Sequence, residues 1–294
     1  MDINYELYKV FYYVATTLSF SMASKRLFIS QSAVSQSIKV LEHKLDQTLF
    51  IRSTKKVQLT PEGEILLRHI EPALNLIKRG ESQIVDSIST GGQIRIGASD
   101  TICRYFLVPY LKRFHTEFPN AHIKVTNQTS LKCVELLATG EVDLIVTNYP
   151  NTALGSMNNI KKIKQFHDVF LANSAYSHLK EQTLSLKELL EYPILMLDKL
   201  STTSEFLHSL FQQHQLDLVP EVELSSNDLL IDLASIGLGI AFIPDYCIPH
   251  KSNDLFIVKT KETLPPRELI IAYNQQLPTS KAVVEFMSYF DSLS

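Results

Sequence analysis

The sequence predicts three parts in order: a winged helix-turn-helix head, all-α with a small β wing, then a long linker helix, then an α/β body. Three observations predict it. Apolar residues recur at helical spacing through the first 45 positions with two short breaks, an apolar stripe then runs from Leu66 to Ile88, and from Gln93 onward short apolar runs alternate with helical stretches. With 294 residues, 45% hydrophobic and 20% charged, the chain can build sizeable cores and is neither disordered nor fibrous. No run reaches the roughly 18 apolar residues of a membrane span, and the start does not have the form of a secretory signal. Cys103, Cys133 and Cys247 form no CxxC pair, so a cytoplasmic, reducing location and no membrane partner are expected.

Charge is distributed unevenly. Residues 1–60 carry eight Lys/Arg against four Asp/Glu, whereas residues 90–294 carry a net charge of −5. A net of +4 is weak evidence for nucleic acid unless the fold presents it on one face.

In the head, Leu7, Val10, Phe11 and Val14 share one face of a first helix, Tyr5 to Ala15. Ser21 is the expected N-cap of a short second helix, Met22 to Phe28, with Ala23 and Leu27 inward. A tight turn at Phe28-Ile29-Ser30 leads to a third helix from Gln31, whose buried stripe is Val34, Ile38, Leu41 and Leu45. Two short helices joined in this way match a helix-turn-helix, although periodicity alone would also suit any three-helix bundle. The outer chemistry favours DNA: glutamine can bond an adenine edge twice, serine a base or a phosphate, and lysine a guanine or the backbone. The candidate base readers are therefore Gln31, Ser32, Ser35, Gln36 and Lys39, with Ser30 a phosphate contact. Leu49 to Ile51 and Val57 to Leu59 are expected strands around a basic turn, in which Arg52, Lys55 and Lys56 would lie along phosphates.

The head resembles the LysR-type transcriptional regulators. The resemblance is carried by Phe11, Val14, Ser19-Phe20, Ala23, Leu27, Ser30-Gln31-Ser32-Ala33-Val34-Ser35, Ile38, Leu41-Glu42, Leu45, Leu49-Phe50, Arg52, Leu59-Thr60 and Gly63. Ser24 and Asp46 depart from it, standing where the family usually has alanine and glycine. The resemblance implies a double-stranded DNA partner, a homodimer or homotetramer, a small-molecule effector and a contact with RNA polymerase.

Thr60-Pro61-Glu62 starts the connector, with threonine as N-cap, proline in the first turn and acidic residues at the positive helix end. Its stripe includes Leu66, Ile70, Ala73, Ile77 and Ile84, the candidate dimer contacts, with Leu67 and Leu74 widening it. A helix without a core of its own needs a partner, although two helices packed on their own domain would also fit the pattern. Pro72 and Gly80 are expected to interrupt it.

Gly91-Gly92 marks the next boundary. Strands are expected at 93–98, 122–128, 142–147, 166–172, 193–197 and 220–224, with a further apolar run at 237–244 and another at 269–273. Helices are expected at 104–118, 131–139, 185–190, 203–215, 227–235 and from Ser280 to Leu293. Two α/β lobes fit this order better than one continuous sheet. The resemblance implies a bilobed body like that of periplasmic solute-binding proteins. The expected domains are 1–60, 61–90 and 91–294, with one lobe about 91–163 plus 268–294 and the other about 164–267.

Ligands favour the carboxyl ends of strands and the starts of helices. By family position the candidates are Ser99, Thr101, Thr129, Ser130, Asn148, Thr202 and Thr203. Hydroxyls and helix-end N–H groups suit an organic or inorganic anion, although each Ser or Thr taken alone is also an ordinary cap. Asp100 opposes an anion unless it faces away, and Arg104 either offsets it or faces water.

Enzymatic signatures are missing: the nine histidines form no HExxH, Gly237-Leu238-Gly239 is better explained by a turn or tight packing, and neither a phosphate loop nor a nucleophile elbow occurs. No cofactor is expected beyond the effector. The rival to a regulator is a cytosolic α/β solute-binding protein or enzyme whose head serves only protein association. It predicts negligible DNA affinity even at low salt. A regulator without an effector would differ only in the cleft.

Overall fold

The computed structural model describes residues 2–52, 56–88, 92–155, 158–248, 254–274 and 278–291. The chain forms two compact units, Met1–Ile84 with Thr139–Glu141, and Val85–Ala138 with Val142–Ser294.

In the first unit, α1 (Tyr5–Thr17), α2 (Phe20–Leu27) and α3 (Gln31–Leu45) precede a hairpin of β1 (Phe50–Arg52) and β2 (Val57–Leu59). Helix α2 starts earlier than expected: its N-cap is Ser19, whose Oγ accepts the Met22 amide at 3.2 Å, not Ser21. Starting there places Phe20 inside the helix, with its ring 5.9 Å from that of Phe50. Val10, Phe11, Val14, Ala23, Val34, Ile38 and Leu41 form one core with Leu49 and Phe50. Asp46 takes the left-handed conformation (φ 52°) that glycine usually supplies, and its amide closes α3. Lys55 and Gly91 lie outside the described residues.

Helix α4 (Pro61–Ile88) runs on through Pro72 and Gly80, contrary to the expected interruption. At 28 residues it is about 42 Å long. Its apolar residues stay in phase across the proline, so burial of Leu74 just beyond it supports the helix past the missing hydrogen bond. Thr60 caps the start: its Oγ1 accepts the Gly63 amide at 3.0 Å and donates to the Thr48 carbonyl at 2.7 Å. Leu66 and Leu67 pack on the head core. Leu66 therefore leaves the outer stripe, Ile70 is half-buried, and the exposed residues of the stripe are Ile65, Ala73, Leu76, Ile77 and Ile84.

In the second unit, the first lobe comprises β3 (Gln93–Ala98), α5 (Asp100–Ile102), a π-helical turn at Cys103–Leu107, α6 (Val108–Glu117), β4 (His122–Asn127), α7 (Ser130–Ala138), β5 (Leu144–Tyr149) and β6 (Asn158–Phe166). The second comprises β7 (Asp168–Ala172), β8 (Thr183–Leu184), α8 (Leu186–Leu189), β9 (Ile194–Leu197), α9 (Thr202–Gln213), β10 (Val222–Leu224), α10 (Asn227–Ser235), β11 (Ile240–Pro244) and β12 (Phe256–Thr260). Strand β13 (Arg267–Asn274) and α11 (Lys281–Ser288) return to the first lobe.

The sheet orders are β4-β3-β5-β13-β6 and β10-β9-β11-β7-β12-β8. In each, three neighbouring strands are parallel and the next strand, β13 in the first sheet and β7 in the second, is antiparallel to them. Alternate residues enter separate cores: Ile96, Leu144 and Ile271 on one face of the first sheet, Ile145, Ile270 and Ala272 on the other. Strand β6 carries the first lobe to Phe166, past the expected limit of 163, and the chain changes sheets at His167. Among the described residues, no helix is long and apolar enough to cross a membrane.

The Gly237-Leu238-Gly239 segment is a turn followed by a close approach. Gly237 has φ +81°, and a Cβ on Gly239 would lie 2.4 Å from the Pro193 carbonyl oxygen and 2.8 Å from Leu195 Cδ2. Gly239→Ala is therefore expected to lose about 1–3 kcal/mol in urea unfolding through overpacking. Gly155→Ala is the control, because no described residue lies within 4 Å of that Cβ and the change should stay within about 0.5 kcal/mol.

Candidate DNA interface and ligand cavity

Helix α3 turns Val34, Ile38 and Leu41 inward and leaves Gln31, Ser32, Gln36 and Lys39 exposed. Ser30 caps it: its Oγ accepts the Ala33 amide at 3.1 Å and shares a 2.9 Å hydrogen bond with Ser32 Oγ. Ser35 is half-buried and accepts a hydrogen bond from Arg52 Nη1 at 3.2 Å. Arg52 also stacks 4.5 Å above the Phe20 ring and lies 3.5 Å from Glu42 Oε2. Glu42 Oε1 meanwhile accepts the amides of Leu49 and Phe50, at 2.9 and 3.3 Å. The Arg52 guanidinium is thus held against α3 while a third of its side chain stays exposed, and the wing is tied to that helix through Glu42. Gln31, Ser32, Ser35 and Arg52 border a shallow concavity of about 390 Å³ with Phe20 and Val57. Lys56 is exposed at the start of the second wing strand.

Phe28, expected as the helix end and the first residue of the turn, proves to be almost fully exposed. Its left-handed backbone (φ 56°) makes the turn before α3, and the side chain is 94% exposed. A bulky residue with positive φ is costly, by roughly 1–2 kcal/mol, so the turn holds it there against its preference.

In the second unit, a cavity of about 420 Å³ lies between the two lobes. Ser99, Thr101, Thr129, Ser130 and Asn148 line it from the first lobe, and Thr202 and Thr203 from the second. All seven candidates are therefore brought together. Each comes from a strand end or a helix start. Thr129 Oγ1 accepts the Lys132 amide at 3.3 Å, and Ser99 Oγ that of Ile102 at 3.4 Å. These residues cap helices and line the cavity at the same time.

The sequence reasoning missed Asn127, Asp198, Ser201, Ser226, Asn227 and Tyr246, which also line it. Ser226-Asn227 follows a short strand and opens a helix, the same signal that marked Thr129-Ser130. At the cavity itself, hydrogen bonds join the lobes: Asn227 Nδ2 donates to Thr101 Oγ1 at 2.9 Å, and Asn148 Nδ2 to Thr202 Oγ1 at 3.4 Å. Asp100 lines the cavity and accepts from Asn127 Nδ2 at 3.0 Å, so it does not face away. Arg104 neither offsets it nor stands alone. The π-helical turn carries Arg104 and Tyr105 to Asp228, with Arg104 Nε at 3.5 Å and the Tyr105 hydroxyl donating at 2.5 Å.

Beneath the cavity is a buried ion pair. Arg267 and Asp168 are each 1% exposed, with Nη1 2.9 Å from Oδ2. The same Nη1 donates to Thr203 Oγ1 at 3.1 Å, and the guanidinium stacks 5.0 Å from the Phe206 ring and 5.5 Å from Phe166. Burial pushes the Asp168 carboxyl above the usual carboxylate range, and Arg267 opposes that shift.

Burial also pushes the Cys103 thiol up to about 11 and that of Cys133 up to about 12, so at neutral pH both stay protonated and poorly nucleophilic. Among the described residues, no group of three or more His, Cys, Asp or Glu is placed to hold a metal ion.

Residues 88–293 match the family described as LysR substrate binding domain, and residues 5–64 match the bacterial regulatory helix-turn-helix protein, lysR family. A probable RuBisCO transcriptional regulator of Phaeodactylum tricornutum is 28% identical over 284 residues, which cover 94% of this chain and 92% of the relative. The HTH-type transcriptional activator CmpR of Synechocystis sp. is 26% identical over 285 residues, covering 96% and 93%. Full-length CbnR complexed with its target DNA has a similar fold, with a TM-score of 0.68 at 19% identity over 99% of this chain and 100% of that one. A full-length OxyR variant from Pseudomonas aeruginosa gives 0.70 at 19% identity, over 100% and 96%.

Removing one partner of a buried pair strands the other charge. Arg267→Met is expected to cost about 3–5 kcal/mol in urea unfolding of the full chain, and adding Asp168→Leu to recover a large part of it.

Proposed function

This chain belongs to the LysR family of DNA-binding transcriptional regulators with an effector-binding domain, and from that premise we propose how its residues divide the work. The protein acts in the cytoplasm as a homodimer or homotetramer. Two copies of α3 enter successive major grooves of an interrupted palindrome. Gln31, Ser32, Ser35, Gln36 and Lys39 read base edges, while Ser30, Arg52, Lys55 and Lys56 meet phosphates. The observation that carries this is the division of α3 into a fully buried aliphatic edge and an outer edge of amides, hydroxyls and one lysine.

Pairing of α4 from two chains supplies the two-fold symmetry. Ile65, Ala73, Leu76, Ile77 and Ile84 form the contact stripe, since burying such side chains on association contributes much of a dimer's stability. An effector with at least one anionic group occupies the cavity, where the starts of α7, α9 and α10 meet. Its binding shifts the relation between the lobes, and with it the spacing of the DNA heads or a contact with RNA polymerase. This requires different affinities for the effector in the two arrangements.

Operator binding measured against salt tests the DNA assignment. Specific retention should weaken with a log–log slope of roughly 0.9 per neutralised phosphate, and Lys56→Ala should lower that slope by about one. Gln31→Ala should erode preference among operator variants by about 1–3 kcal/mol at one base position. Unchanged preference would move base reading elsewhere. For the stripe, Ile77→Glu should shift the protein toward monomer in sedimentation and weaken operator binding at low protein concentration.

A further inference from the structure

From the charges and unpaired acceptors lining the cavity, we infer that its ligand is a zwitterion, a small polar molecule of α-amino-acid chemistry bearing both a carboxylate and an ammonium group. The inference rests on the reading of the cavity as the effector site and specifies the chemistry it takes.

The carboxylate half follows from three helix starts. Helices α7, α9 and α10 begin in the cavity wall, and Thr129, Ser201 and Ser226 cap them. Each helix start carries a partial positive charge of about half a unit and N–H groups with no partner inside the helix. One carboxylate matches that supply.

The ammonium half follows from what else lines the space. Asp100 enters from the first lobe and Asp198 from the second, and no Lys, Arg or His is among the described lining residues. Arg267 reaches this region only through Thr203, and Asp168 offsets its charge. Asn148 and Asn227 line the cavity at 7% and 3% exposure, yet the Oδ1 of each, itself buried, accepts no hydrogen bond among the described residues. Two carboxylates and two unused amide oxygens call for a donor, and an ammonium has three N–H bonds to give. A sulfate or a dicarboxylate would bring two negative charges beside Asp100 and Asp198 and leave those oxygens unanswered, which is costly for buried acceptors. Hydroxyl- and amide-bearing residues are the most numerous in the described lining, with Leu197, Pro244 and Tyr246 as its apolar and aromatic members.

The test is calorimetry and thermal shift on the full-length protein. The probes are the common L-α-amino acids and their hydroxyl and amide derivatives, each with its N-acetyl form and its decarboxylated amine, beside succinate and inorganic sulfate. At least one amino acid is expected to bind and to lose at least about tenfold in affinity on N-acetylation and on decarboxylation. Asp198→Asn should weaken that amino acid by a similar factor while its unfolding transition remains cooperative. Asp100→Asn is the second variant should the first fail to fold. Binding of succinate or sulfate without any amino acid overturns the zwitterion and leaves the cavity as an effector site. An amino acid that binds its N-acetyl form equally well overturns the ammonium half. Silence across both classes, in protein that still retains its operator, removes the cavity as an effector site and this inference with it.

Discussion

The ion pair between Asp168 and Arg267 is the constraint on which the second unit depends. Both charges are out of water, and each finds its main compensation in the other at 2.9 Å. They also occupy special places in the chain. Asp168 opens the strand that follows the first passage between sheets, and Arg267 opens the strand that follows the return. A separation of the two passages would therefore expose an unpaired charge to a low-dielectric interior, a far larger penalty than the loss of a surface contact. Thr203 is drawn into the same cluster, so the start of α9 inherits the position of the pair. The rings of Phe166 and Phe206 lie within about 5.5 Å of the guanidinium and attract it through their π-faces. A cavity wall anchored in this way has little freedom to drift.

Much of the molecule was legible because it obeys short-range rules. The stripe of Val34, Ile38 and Leu41 needs only the helical period, and Thr60-Pro61 marks a helix start by the chemistry of its ends. The candidate cavity residues were legible for a related reason: each follows a strand or opens a helix, and parallel strands bring such positions to one edge of a sheet. Strand β6 was not legible. It is an edge strand whose Lys161, Lys162 and Lys164 break the apolar run, a common guard against unwanted pairing. Ser19 displaced Ser21 as a cap because burial of Phe20 decided where the helix begins. Arg267 and Asp168 stand 99 positions apart and carry no local signature. The unbroken course of α4 through Pro72 likewise depends on packing that a propensity argument does not contain.

The head shows how one acidic residue organises a basic surface. Glu42 sits on the recognition helix, yet its two carboxylate oxygens serve the wing: one takes the amides of Leu49 and Phe50, the other approaches Arg52. These amides open the first wing strand and would otherwise lack partners. Under the proposed docking, the result couples base reading by α3 to the phosphate contacts of the wing. A displacement of the wing along a phosphate row pulls on Glu42 and Arg52, and through Arg52 on Ser35. Base and backbone contacts in such an arrangement are not independent, so their energies need not add.

Two of the hydrogen bonds that already join the lobes lie at the cavity, Asn227 to Thr101 and Asn148 to Thr202, and they have a consequence for ligand exchange. An incoming molecule competes for the same amides and hydroxyls, so its gain is the difference between new bonds and old ones. Exchange of this kind tends toward moderate affinity and short residence. Under the proposed effector role, such exchange suits a protein that tracks a fluctuating concentration and does not latch onto the first molecule it meets.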